Sequence, residues 1–221
     1  MKARLGLFVG VLSTTLLAAS GASANAILSG TTTADNAFFA YVSSSNSTLG
    51  TLIGSGNNWP SSFPVTSASL SPGTYYLQVE AINYGGPGGL SGVFNLSGSG
   101  QFLNGTQTLT TDPANLAYWL GGYNDSSGAV APQAWVTPTG AVHQDTDYPW
   151  GNIVGTSNWL WSSDSLSNPG GIPCDTCTVD FSAQFTVTGS TAVPEPLTLT
   201  LVGAGFAGIV TMRRRKKTAK Y

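Results

Sequence analysis

His143 is the one histidine in the chain, so a metal site built on two histidines is excluded from the outset. The same shortage weighs on nucleophilic catalysis. A serine triad would need His143 to meet a serine and an acid brought in from elsewhere, and no G-x-S-x-G turn presents a nucleophile. Glutamate occurs twice, at Glu80 and Glu195, so paired-carboxylate chemistry on a glycoside would have to draw mainly on aspartates. Asp145 and Asp147, in His143-Gln144-Asp145-Thr146-Asp147, have the oxygens that suit Ca²⁺, but the further acids and the closing glutamate of an EF-hand loop are missing. The residues therefore predict no metal, no cofactor and no catalytic residue.

Cys174 and Cys177 are the only cysteines. A redox pair would need a βαβ setting and a zinc site two more ligands, and neither is visible around Cys174-Asp175-Thr176-Cys177. A disulfide between them is expected. Six tryptophans, Trp59, Trp119, Trp135, Trp150, Trp159 and Trp161, remain as candidates for stacking on sugar rings. Trp159 and Trp161 share one face of a strand, and Trp150 falls in the loop sequence Tyr148-Pro149-Trp150-Gly151. These three are the expected glycan contacts.

The elements that must hold these residues read as strands. Residues 177–187 alternate: Cys177, Val179, Phe181, Ala183, Phe185 and Val187 face one way, and Thr178, Asp180, Ser182, Gln184 and Thr186 the other. Residues 74–82 repeat the pattern, with Tyr75, Leu77, Val79 and Ala81 opposed to Tyr76, Gln78 and Glu80. Both predict antiparallel strands with one face buried. Further strands are expected at 37–42, 92–96, 106–110, 115–120, 133–136 and 158–162. Pro72-Gly73 marks a turn, and Asn83 to Gly89 a glycine-rich connection. No amphipathic helix and no fixed repeat is present. The fold class predicted for residues 27–190 is all-β, a β-sandwich of jelly-roll type.

Charge divides the chain sharply. All eight Lys and Arg residues lie at its ends, and none occurs between Arg4 and Arg213. Such a middle cannot replace phosphate counterions, which excludes nucleic acid as a partner. At the start, Lys2 and Arg4 precede an apolar run at 5–17 and small residues up to Ala26. That order predicts a signal peptide over residues 1–26, cut after Ala24 or Ala26, and hence export.

The other end has its own grammar. Val193-Pro194-Glu195-Pro196 is followed by an uncharged run, residues 197–212, and then by Arg213, Arg214, Arg215, Lys216 and Lys217. Sixteen helical residues span roughly 24 Å, near the hydrocarbon thickness of a bilayer. The basic cluster is a stop-transfer signal that stays in the cytoplasm, with residues 213–221 as the tail. Pro194 and Pro196 keep 191–196 extended and accessible. Gly203-Ala204-Gly205-Phe206-Ala207-Gly208 matches a dinucleotide fingerprint in letters only, because it lies inside the expected span. There it reads as small residues for close helix contact.

This tail, residues 193–217 and roughly a tenth of the chain, resembles the PEP-CTERM sorting signal. The resemblance implies a Gram-negative host and processing by exosortase, a membrane-embedded cysteine transpeptidase-like enzyme. It also implies that Pro194, Glu195 and Pro196 serve as substrate residues. The expected protein is thus a non-enzymatic envelope or matrix component. It is anchored in the inner membrane before processing and is associated with exopolysaccharide or a neutral glycan. The competing expectation is a secreted polysaccharide hydrolase with an aspartate-based site, which clustered exposed aspartates along a groove would favour.

Overall fold

The computed structural model describes residues 25–125, 134–145, 153–154, 158–162 and 176–189, all within one compact unit, Ser23–Ser190. Twelve strands run through these residues: β1 (Leu28–Asp35), β2 (Ala37–Ser43), β3 (Thr51–Gly56), β4 (Phe63–Thr66), β5 (Gly73–Asn83), β6 (Gly89–Leu96), β7 (Gly100–Phe102), β8 (Thr108–Thr110), β9 (Leu120–Asp125), β10 (Val142–Asp145), β11 (Trp159–Ser162) and β12 (Cys177–Val187). They form two antiparallel sheets, so the all-β expectation holds. One sheet runs β10-β11-β6-β1-β4, with β8 also on β6. The other runs β3-β2-β5-β12-β7, with β9 also on β12.

The centre of the second sheet is the longest ladder in the molecule. β5 and β12 pair along their full lengths, from Cys177 opposite Asn83 to Val187 opposite Gly73. Their alternation predicts one inward face, and the structure agrees. Cys177, Val179, Phe181, Ala183, Phe185 and Val187 enter one continuous core with Leu77, Val79 and Ala81, and Tyr75 packs against it. The first sheet contributes Leu28, Leu90, Phe94, Leu96, Leu160 and Trp161 to that core. Phe94 meets Trp119 edge-on at 5.8 Å between ring centroids, and Tyr75 stacks on Phe185 at 5.6 Å.

Two strand expectations are corrected. Residues 113–118 form a 3₁₀ helix, and the strand begins only at Leu120. Pro113 stands at the head of that helix, where its fixed φ fits and its missing N–H is not needed. Asn115 then ties the turn down, its amide donating to Thr110 Oγ1 at 2.8 Å. Residues 134–136 form no strand either. They cross the second sheet, held by side chains rather than by a ladder. β1, β3, β4, β7 and β10 carry no strong apolar alternation. Only pairing to neighbours makes strands of them, as in β1 (LSGTTTAD), which lies between β4 and β6.

A further correction concerns the polar face of β5 and β12. It was expected to meet water. Instead Gln78, Glu80, Thr178, Asp180 and Ser182 are buried. Two segments cover them. The loop after β2 folds over Gln78, whose Nε2 donates to Ser45 O and Thr48 O while its Oε1 accepts from Gly50 N–H. Residues 134–140 cross beside it. Trp135 Nε1 donates to Asn46 O at 2.7 Å, which joins the two coverings to each other.

Candidate functional site

Beneath that covering lies the most unusual chemistry of the described residues. Glu80 and Asp180 are directly opposed in register on β5 and β12, and both are 0% exposed. Side chains opposed across an antiparallel pair stand with Cβ atoms about 4.5–5.5 Å apart. Two carboxyls are therefore neighbours in a place closed to the solvent surface.

Both carboxyls are held by hydrogen bonds. Tyr41 of β2 donates its hydroxyl to Glu80 Oε2 at 2.9 Å. Asp180 Oδ2 accepts from Val136 N–H at 2.7 Å and from Asn124 Nδ2 at 2.8 Å. Asn124 Nδ2 also donates to Ala134 O, so the crossing segment is tied to Asp180 twice. Gly122, in register with Asp180, lets the segment approach. A Cβ there would come within 3.2 Å of Pro138 Cα. The segment closes with a two-bond bridge between Gly121 and Gly140.

The remaining oxygen, Asp180 Oδ1, has no hydrogen-bond partner, nor do Thr178 Oγ1 and Ser182 Oγ on either side of it along the same strand face. Burial pushes the Asp180 carboxyl up to about 8, and the neighbouring Glu80 charge adds to the rise. The donors Val136 N–H and Asn124 pull the other way without cancelling it. Burial likewise raises the Tyr41 phenol, reinforced by its bond to Glu80 and by the Glu80 and Asp180 charges. No Lys or Arg occurs among the described residues, and His143 lies on β10 in the other sheet. Among the described residues, a proton is the positive charge on offer to the pair.

The residues singled out from sequence fare differently. Trp159 and Trp161 are 1% and 0% exposed, which corrects their expected role as sugar-stacking faces. β11 lies between β10 and β6, and Trp161 turns into the core against Phe181 of the opposite sheet, 5.7 Å away. The broad apolar area that suits a tryptophan to a sugar suits it equally to a core. Cys177 is buried and disulfide-bonded. The other cysteine of the chain, Cys174, lies outside the described residues. Asp145 ends β10 in register with Trp159. Asp147, Trp150, Pro194, Glu195, Pro196 and Arg213 to Lys217 lie outside the described residues, as do the expected signal peptide and the expected span at 197–212. Among the described residues no helix is long and apolar enough to cross a membrane, and no group of three or more His, Cys, Asp or Glu side chains could hold a metal ion.

Sequence reasoning placed Glu80 and Asp180 each on the polar face of its strand and stopped there. A signal was present: each is the single acid of a long alternating strand. What brings them together is the register between strands almost a hundred residues apart, which local pattern does not carry. Compared with known proteins, the chain matches no family model, no curated protein and no solved structure.

Proposed function

We propose that this chain is a non-enzymatic exported protein of the cell envelope or extracellular matrix, delivered by a tail of PEP-CTERM type. The observation that carries the reading is the order of parts at residues 193–217: Val193-Pro194-Glu195-Pro196, sixteen uncharged residues, then Arg213-Arg214-Arg215-Lys216-Lys217. In this reading residues 1–26 direct export and 197–212 span the inner membrane. Exosortase removes the tail, and a jelly-roll-type sandwich is released to, or joined with, an exopolysaccharide-rich surface.

The character of the domain supports a role without catalysis. Its buried carboxyl pair is sealed from solvent. Three surface hollows, one around Thr51 and Tyr75, one around Phe39 and Tyr84 and one around Ser45 and Thr48, carry no carboxylate on their walls. The absence of Lys and Arg from 5 to 212 suits a neutral partner and disfavours an acidic polymer or nucleic acid.

Mass spectrometry of the envelope form in a host with exosortase tests the sorting reading. A C-terminus at or near Pro196 is expected. An intact chain ending at Tyr221 in that host would overturn it. The hydrolase reading keeps one observation in its favour, two neighbouring carboxyls with different surroundings. It would need both of them to reach a substrate, and both are 0% exposed with the covering segment seated.

A further inference from the structure

We infer that Glu80 and Asp180 hold one proton between them, and that this proton is what keeps residues 134–140 seated on the sheet. The inference concerns the exported domain itself and does not depend on how the tail is processed.

The first step is electrostatic. Two carboxylates in register, both without solvent contact, repel each other strongly in a medium of low dielectric. Among the described residues there is no Lys or Arg to compensate them, and His143 lies in the other sheet. Among the groups that face the pair are Tyr41 from β2, Asn124 from β9, Val136 N–H from the crossing segment, and Thr178 and Ser182 from β12 itself. β9 also brings Asp125 into register with Thr178, which adds no positive charge. The loop 44–50 and the segment 134–140 contain no titratable side chain. A single proton shared by the pair removes the repulsion, and the unpartnered Asp180 Oδ1 is the oxygen left to carry or receive it.

The second step decides what yields when the proton leaves. The strands that carry the two acids are paired along eleven residues each and cannot separate without losing the centre of the sheet. Among the described residues the covering segment is held by far less. It has Val136 N–H on Asp180, Asn124 on Ala134 O, Trp135 on Asn46 O, a long bond from Asn46 Nδ2 to Pro138 O at 3.5 Å, and the Gly121–Gly140 bridge. Val136 and Ala134 already stand exposed on its outer side. Lifting this segment admits water to Asp180 Oδ1, so deprotonation is relieved there rather than within the ladder.

Linkage sets the direction. The closed form binds a proton that the open, hydrated form gives up in the ordinary carboxyl range. The opening constant therefore rises about ten-fold per pH unit from that range up to the titration of the closed pair, then levels off. The pair makes the outer face of this sheet a pH-gated surface, shut in acid and released toward mild alkali.

The test uses the full-length chain with ¹³C-labelled Asp and Glu carboxyls, followed from pH 6 to 9. Chymotryptic cleavage after Trp135 is measured alongside it, normalised to a free peptide carrying the same bond. The expected result is one carboxyl resonance, missing in Asp180→Asn, that titrates near pH 8. The normalised cleavage rate should rise about 50-fold between pH 6 and 8 and about 100-fold in all, flattening by pH 9. Asp180→Asn retains an acceptor for Val136 N–H and should show a flat profile, whereas Glu80→Gln leaves Asp180 buried and should keep the slope but level off at lower pH. A pH-independent rate in the native chain would overturn the inference, and so would the slope surviving in Asp180→Asn or an unshifted profile in Glu80→Gln. Native mass spectrometry showing a bound Ca²⁺ that abolishes the slope would also overturn it, by making the neutralising charge a metal ion. Should Asp180→Asn fail to fold, the native carboxyl titration decides alone: no carboxyl titrating between pH 6 and 9 ends the proposal.

Discussion

Trp161 of β11 and Phe181 of β12 meet across the sandwich, ring centroids 5.7 Å apart at an interplanar angle of 58°. One ring comes from each sheet, so this contact fastens the two layers together. It also sets the register of the glycine-rich connection after β5, because a Cβ at Gly88 would stand 2.6 Å from the Trp161 ring. Glycine is needed at Gly88 for space, while at Gly86 a φ of +77° demands it for conformation.

Replacing Trp161 with Ala should therefore cost about 3–5 kcal/mol, the range for deleting a large buried ring. Trp161→Phe should cost less, since the indole Nε1 has no partner to lose. Urea unfolding curves followed by circular dichroism measure both. A cost below 1 kcal/mol for Trp161→Ala would contradict its placement between the sheets.

Gly88→Ala tests the same contact from the other side. The Trp161 ring has no room to retreat within a filled core, so the added methyl should destabilise by about 1–3 kcal/mol. In the double variant Gly88→Ala with Trp161→Phe that penalty should shrink, and a double-mutant cycle on unfolding free energies reads the coupling directly.

Global stability should carry the signature of Asp180. Its folded pKa is raised to about 8, so between the ordinary carboxyl range and pH 8 the folded chain binds a proton that the unfolded chain has released. The contribution of this group is then fully present in acid and declines as pH rises, at up to about 1.4 kcal/mol per pH unit, levelling above pH 8. Unfolding midpoints at pH 5, 6, 7 and 8 should fall for the native chain relative to Asp180→Asn. A difference that stays constant over this range would contradict the raised carboxyl.

The native protein should show no titratable thiol. Cys177 is bonded at the entry to β12, and Cys174 is the one cysteine left to bond it. So short a loop restricts the unfolded chain only slightly, so replacing both with Ser should preserve the fold at a modest loss of stability. Two reactive thiols per native chain would refute the pairing.

Trypsin should leave everything from 5 to 213 in one piece, folded or denatured, because that stretch has no internal Lys or Arg. Tryptic cleavage within it would contradict the absence of Lys and Arg. The same absence predicts no retention on DNA at physiological salt.

Much of this protein was decided by local sequence. The alternation in 74–82 and 177–187 fixes which side chains enter the core, since successive side chains on a strand point to opposite faces whatever the strand pairs with. Pro72-Gly73 fixes where β5 begins, and the clustering of Lys and Arg at the ends fixes a domain without cations. Other features were settled only in three dimensions. Whether the polar face of β5 and β12 meets water depends on segments that cross it from residues 44–50 and 134–140, and no periodicity within the strands encodes that covering. Trp159 and Trp161 share a face in sequence, yet only the placement of β11 beside β6 decides that this face is filled by Phe181 rather than left to a ligand. The pairing of Glu80 with Asp180 is the clearest case. Each residue alone is an ordinary polar position on a strand, and the register that sets one against the other is a property of the whole sheet, fixed by burying both inner faces at once.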